Sequence, residues 1–308
     1  MPIAETAIIR MKDTLLLIDA NSLIHRAYHA LPPFTSPTGE PTGALYGVSS
    51  ILIKVLREGI VGNGAPRYIA AAFDTPEPTF RKQEYKEYKG TRGPADPELV
   101  SQLIEAKNLL TLFGIKSFGF AGWEADDVVA TFSQKFITEE SLGKICILSG
   151  DLDMLQAVRG DKVVVMSPQK GISSTVIYDE AAVQARFGLP SSLLADYKGL
   201  VGDKSDNIPG VQGIGPKTAV ALLNKFGSLE NIYKEIDEVG LPELKVQDKL
   251  SLGRDKGVLS KKLATLRFDL PLVVSLRDLD RGELNTKKIS KEFKELGFNS
   301  LIERVSGL

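Results

Sequence analysis

The chain has 308 residues, 43% of them hydrophobic, and a formal net charge of −1. Such values belong to a globular protein able to bury a sizeable core, and they exclude a disordered or collagen-like chain. No apolar run reaches the roughly 20 residues that span a bilayer, so no membrane segment is expected.

The leader MPIAETAIIR lacks the apolar centre of a signal peptide and the Arg/Ser bias of a transit peptide. MKDTLLLIDA starts like a second initiation site, so residues 1–12 read as a flexible extension. TLLLI (14–18), RYIAAAF (67–73), KICIL (144–148), KVVVM (162–166) and STVIY (174–178) read as strands. Helical patterns fall between them at 43–58, 97–113 and 125–137. This alternation predicts an α/β domain over 13–178 with a mainly parallel central sheet. Residues 75–96, rich in Pro, charge and Tyr and without a core stripe, read as a mobile insertion. From residue 179 to 308 the pattern becomes helices joined by Gly- and Pro-bearing turns, a separate helical subdomain. The single cysteine, Cys146, sits inside KICIL as a buried reduced thiol, which suits a cytoplasmic compartment.

Three apolar runs end in aspartate. LLLIDAN carries Asp19, AAAFDTP carries Asp74, and ILSGDLDML carries Asp151 and Asp153. Parallel neighbours would bring these acids to one sheet edge, where open α/β sheets bind their ligands. AGWEADDVVATF adds Glu124, Asp126 and Asp127 at the head of a helical stripe, and VGDKSDNIPG adds Asp203 and Asp206. Taken singly, an Asp after a strand is an N-cap or turn former. Nine carboxylates from five segments would repel one another unless cations neutralise them. An all-oxygen set points to hard ions, Mg²⁺ or Mn²⁺, and its size to two ions clamping a phosphodiester. Glu124 and Asp126, two apart, share one site only if Glu124 lies at or before the N-cap, and Gly122 and Trp123 make a break there.

Two further segments suit nucleic acid. NIPGVQGIGPKTAVALLNKFG (207–227) reads as a helix-hairpin-helix, with Gly213 and Gly215 allowing close backbone approach and Lys217 and Thr218 at the following helix start. FRKQEYKEYKGTR (80–92) interleaves Arg81, Lys82, Lys86, Lys89 and Arg92 with Tyr85 and Tyr88, cations and rings that suit a single strand. His25 and His29 have metal-like spacing in HRAYH but no accompanying glutamate, and read as ordinary helix residues. The paired acids of GDLDML are like those of haloacid-dehalogenase-type phosphatases, but Ser149 and Gly150 separate them from the strand.

In order, LLLIDANSLIHRAY, AAFDTPEPTFRKQEYKEYKGTR, GWEADDVVAT, LSGDLDMLQ and LVGDKSDNIPGVQGIGPKTA resemble the 5′-nuclease domain of bacterial DNA polymerase I, in the flap-endonuclease family. The likeness runs from about residue 13 to the end, either a freestanding nuclease or a polymerase fragment. It implies a PIN-like, resolvase-like α/β fold with a helical arch over 75–96 and a C-terminal helix–three-turn–helix. It also implies a metal-dependent 5′→3′ exonuclease and flap endonuclease of replication and repair. Asp19, Asp74, Glu124 and Asp126 would serve one ion and Asp151, Asp153 and Asp203 the other, with Asp127 and Asp206 auxiliary. Lys89 and Arg92 would be catalytic-side cations and Arg81 the base of the arch. The resemblance further implies K⁺ at the hairpin, DNA flaps and nicks as partners, a separate polymerase acting alongside, and a monomer near the nucleoid. Two rivals remain: a PIN-type ribonuclease, and a branched-DNA binding module without catalysis.

Overall fold

A computed structural model of the chain describes residues 12–60, 63–169 and 174–308. The expected extension over 1–12 lies, apart from Lys12, outside the described residues. Strands β1 (Asp13–Asp19), β2 (Tyr68–Ala72), β3 (Lys116–Phe118), β4 (Leu142–Leu148), β5 (Val163–Gln169) and β6 (Ser174–Tyr178) form one sheet in the order β3-β2-β1-β4-β5-β6. All pairings are parallel except β5 with β6. The strand order reverses at β1, so the crevice beyond the carboxyl ends of β1 and β4 is a topological switch point.

Both faces of the sheet are covered, which explains the unbroken apolar runs of its strands. Leu16 and Ile18 of β1 face helices α1 (Ala20–Ala30), α2 (Gly43–Glu58) and α4 (Pro97–Leu112). Leu15 and Leu17 face the other way, toward Val128, Val129 and Phe132 of α5 (Ala125–Phe136). Cys146 is free and buried on the Leu16 and Ile18 face, with its thiol pushed up to about 12 by burial. A short helix α3 (Phe80–Glu84) lies between β2 and α4.

Beyond the sheet, α6 (Glu180–Phe187), α7 (Leu194–Val201), α8 (Pro216–Phe226), α9 (Leu229–Glu238), α10 (Leu244–Leu252) and α11 (Arg254–Ala264) follow. Leu200, Val211, Leu223, Ile232 and Leu250 form a core of their own there. The expected helical unit over 179–308 is shorter than its pattern suggests. Leu266, Leu270 and Leu272 return to pack under α5, and α12 (Thr286–Glu295) and α13 (Asn299–Ser306) pack Phe293 and Leu301 beside α2. Among the described residues no helix is long and apolar enough to cross a membrane.

Candidate active site

The acids reach the switch point by simple local means. Asp19 ends β1 and caps α1, accepting from Ser22 N–H at 3.2 Å. Asp74 stands two residues beyond β2, and its Oδ1 accepts from Ala125 N–H at 2.7 Å, which fixes the start of α5 against the sheet edge. Glu124 is the N-cap of α5 with extended backbone (φ −90°, ψ 157°), and Asp126 lies on the first turn. Glu124 thus stands outside the helix, as the two-residue spacing required. Asp151 caps the 3₁₀ turn Leu152–Ala157, accepting from Asp153 N–H at 2.8 Å.

A cleft of about 1010 Å³ is lined by Asp19, Asp74, Glu124, Asp126, Asp151, Asp153 and Asp203, together with Lys89 and Arg92. His25 and His29, expected to be ordinary helix residues, also stand in its wall. Burial, opposed by hydrogen bonds from Ser149 and Ser22, pushes Asp19 up to about 6. Burial and the neighbouring Asp151 push Asp153 up to about 6, against the pull of Lys198. Burial, Asp127 and Glu124 raise Asp126 well above the ordinary carboxylate range. Crowded, desolvated oxygens of this kind fit a hard divalent cation, which would relieve their mutual repulsion. The sign for the metal-free protein follows: Asp19 binds its proton more tightly folded than unfolded. Its contribution is fully present below pH 3.8 and lost as pH rises through 6, a swing of about 3 kcal/mol. Metal-free Asp19→Asn is therefore expected to gain on the native chain between pH 4 and 7 in urea melts, and a pH-independent difference would contradict this.

Two of the nine acids lie outside the cleft lining. Asp127 is wholly buried, and its two oxygens take a bidentate pair from Arg81 at 2.6 and 2.7 Å and a third bond from Arg267 N–H at 2.9 Å. Asp206 accepts from Arg92 at 2.5 Å and from the Tyr88 hydroxyl at 3.1 Å. Both carboxylates, read as auxiliary, are engaged by protein donors, and one oxygen each of Glu124, Asp126 and Asp127 lies within 4.8 Å of the others. Glu124 is held too: Lys89 donates to its Oε1 at 2.7 Å, and Arg81 and Tyr88 to its Oε2 at 2.9 Å. Burial works against its charge, but Lys89 and Arg81 prevail and keep it below its ordinary value.

The basic segment is docked rather than a free insertion. Arg81, read as the base of the arch and as one of the cations suiting a single strand, is buried and spends every N–H on Glu124, Asp127 and the carbonyls of Leu263 and Thr265. Tyr88, expected to stack on bases, is buried with Ile208, Leu263 and Ala264. A composition of charge and Tyr signals solvent, and the partners that bury these two side chains lie far along the chain. Lys82 donates to Tyr88 O and Tyr85 to Glu87, whereas Lys86 is exposed. Lys89 adopts a left-handed backbone (φ 52°), and its N–H donates to Asp206 O at 2.9 Å. Asn207, also left-handed (φ 56°), donates to Glu87 O at 2.8 Å. Two strained residues locked by mutual bonds join the arch to the Asp203 loop.

That loop was legible only for its acids. Lys198 of α7, which nothing in the sequence reading singled out, bridges Asp153 and Asp203, bonding Asp203 Oδ2 at 2.5 Å. A lone lysine five residues before Asp203 forms no helical-face pair that would mark it. Burial opposes ionisation of Asp203, but Lys198 and Ser205 hold it down to about 2. Ser149, Ser22 and Asn21 were missed as well: Ser149 Oγ donates to Asp19 Oδ2 at 2.7 Å, and Asn21 to Asp74 Oδ2 at 2.9 Å. Gly202 and Gly210 stack back to back beneath the loop, and a Cβ on Gly210 (φ +64°) would stand 2.3 Å from Gly202 N. Gly210→Ala should cost about 2 kcal/mol or more in denaturant unfolding, and an unchanged midpoint would refute the close approach.

At the hairpin, Gly213 is left-handed (φ +81°) and Gly215 is the N-cap of α8 with open space at its Cβ. Lys217 is exposed and Thr218 half-buried on the first turn. The Gly213 carbonyl accepts from Lys249 Nζ at 3.2 Å.

A doubly wound sheet thus crowds acids at its switch point, beside the docked basic segment and the glycine hairpin. Family models for the 5′-3′ exonuclease N-terminal resolvase-like domain and C-terminal SAM fold match residues 14–188 and 189–287. The chain belongs to the 5′-3′ exonuclease family. It is 35% identical to the 5′-3′ exonuclease of Aquifex aeolicus over 95% of each chain. It is 39% identical to DNA polymerase I of Bacillus subtilis over 94% of this chain, spanning 32% of that relative's length. The fold matches the T5 D15 protein co-crystallised with metal ions (TM-score 0.63, 20% identity, 96% of this chain and 97% of that one). It also matches the catalytic core of Rad2 in complex with DNA substrate (TM-score 0.60, 19% identity, 97% and 92%).

Proposed function

We propose that the protein removes 5′ ends and 5′ flaps from duplex DNA, with two Mg²⁺ ions as cofactors. The observation that carries this is the gathering of seven carboxylates in one cleft beside Lys89 and Arg92. Asp19, Asp74, Glu124 and Asp126 would hold one ion, and Asp151, Asp153 and Asp203 the other. When bound, such a pair polarises the scissile phosphodiester and acidifies the attacking water. Mn²⁺, with the same preference for oxygen, would serve in place of Mg²⁺.

The protein's own groups supply position and charge. Lys89 and Arg92 neutralise charge on the phosphate's free oxygens as it develops and draw the strand to the acids. Arg81 and Asp127 hold the arch base and the start of α5 rather than touching substrate, and Asp206 and Tyr88 fix the arch to the Asp203 loop. The hydrogen bonds of Ser149 and Asn21 orient Asp19 and Asp74. Lys217, Thr218 and the hairpin backbone hold duplex phosphates, and Lys82 and Lys86 attract the single strand as exposed charges. The expected products are a 5′-phosphate and a 3′-hydroxyl.

Strand displacement by a polymerase is the class of reaction that supplies such flaps, and relatives named DNA polymerase I support that link. A duplex-gripping hairpin has little use on a single-stranded RNA, which sets DNA ahead of the ribonuclease reading. The test is cleavage, with Mg²⁺, of matched DNA and RNA 5′ flaps on one duplex, mapping each cut. Cutting of both flaps near the junction agrees with this reading, because the duplex sets the site. Cutting of free single-stranded RNA with the flapped duplex left intact would overturn it.

A further inference from the structure

A second groove of about 680 Å³ opens beside the acidic cleft, lined by Arg186, Phe187, Tyr197, Pro216 and Lys217 among others. Phe187 and Tyr197 stand in the walls of both, so one groove runs into the other across this aromatic step. Their rings meet edge to face, with centroids 6.3 Å apart at 72°. The charge changes across the step. Seven carboxylates of the proposed metal site line the cleft, whereas none lines the second groove.

The groove's cations are available. Arg186 donates one N–H to the Tyr178 hydroxyl at 2.9 Å and stacks 5.6 Å from the Tyr178 and Phe187 rings. Neither Arg186 nor Lys217 pairs with a carboxylate among the described residues. This contrasts with Lys89, Arg92 and Lys198, each spent on an acid of the site. A planar guanidinium beside two rings, with one N–H spent on a hydroxyl, keeps its remaining N–H groups for a fork, the geometry that recognises phosphate.

We infer that this groove is a binding track for the sugar-phosphate backbone of the same DNA whose phosphodiester enters the cleft. Arg186 and Lys217 hold consecutive phosphates, and Phe187 and Tyr197 pack against the nucleotide at the threshold. The inference rests on the proposed DNA substrate and adds Arg186, Phe187 and Tyr197 to its contacts. The chemistry suits the passage. Phosphates are held by bare cations up to the aromatic step, and beyond it only where cations offset the acids.

The experiment is fluorescence anisotropy of a labelled 5′-flap duplex with full-length protein in EDTA, titrated from 50 to 200 mM KCl. Arg186→Gln should weaken binding about fivefold to tenfold near 100 mM salt and lower the log–log salt slope by about 0.9, the loss of one phosphate contact. Arg186→Lys should keep most of the slope. Tyr197→Leu should weaken binding about fivefold with the slope unchanged, the mark of a lost stacking contact. Lys291→Gln, an exposed lysine of α12, controls for a general loss of charge and should leave the slope as in the native chain. Native affinity and slope in Arg186→Gln, with the native chain binding normally, would overturn the track alone. Failure of the native chain to bind the flap duplex would overturn the track together with the proposed substrate.

Discussion

Replacing Asp126 with Asn is expected to lower kcat on a 5′-flap duplex about 10²–10³-fold while leaving the protein folded and able to bind DNA. Asp126 is the one member of its acidic trio with no cation partner, because Glu124 is held by Lys89 and Arg81, and Asp127 by Arg81. Among the described residues its Oδ1 accepts from the Asp127 N–H, at 2.6 Å. Burial and two neighbouring acids raise its proton affinity, so the charged form is held against its own preference. The amide relieves that repulsion and takes away a charged ligand. Metal-free Tm should therefore rise in the variant as activity falls, the opposite signs that mark a functional rather than a structural acid. Single-turnover cleavage alongside thermal melts in EDTA decides it. A variant that cleaved at the native rate, or that lost Tm and activity together, would contradict this role.

Arg81→Met is expected to cost about 3–5 kcal/mol in urea unfolding, the largest stability effect of any substitution near the site. Arg81 is 2% exposed and Asp127 is fully enclosed, so the variant strands a carboxylate in the interior with only the backbone amides of Arg267 and Glu124 donating to it among the described residues. The same arginine caps two carbonyls, those of Leu263 and Thr265, just where the helical unit hands the chain back to the sheet. It therefore ties three parts together: the arch base, the start of α5 and the end of α11. Arg81→Met/Asp127→Leu should recover part of the loss, because replacing both partners removes the stranded charge. A cost below about 1 kcal/mol for the single variant would show that the network carries little energy.

Much of this architecture can be read from the chain. Strands buried on both faces leave continuous apolar runs, so β1, β2, β4 and β5 stood out, along with the acids that end or follow the first three. The position of Glu124 outside α5 followed from helical geometry alone, because two residues two apart cannot face one point. The short edge strand β3 escaped notice, since Lys116 and Ser117 are exposed and only three residues pair. The return of residues 266–308 to the α/β domain was hidden for a different reason. An amphipathic helix declares which face it buries, not which neighbour covers it. The same limit hid the burial of Arg81 and Tyr88, whose partners Glu124, Asp127 and Asp206 are contributed by distant segments. Lys198 was missed because a lone lysine carries no pattern until its two carboxylates are in place.

The central claim is that the acidic cleft cuts a phosphodiester only when hard divalent ions occupy it. The direct measurement holds protein and labelled 5′-flap duplex at concentrations where anisotropy shows the DNA bound, first in EDTA and then with Mg²⁺ added stepwise. The account predicts no cleavage in EDTA and a rate that rises with Mg²⁺ to a product bearing a 5′-phosphate, with Asp126→Asn bound but inert throughout. Cleavage in EDTA, or a flap that stays bound and intact at saturating Mg²⁺, would contradict it.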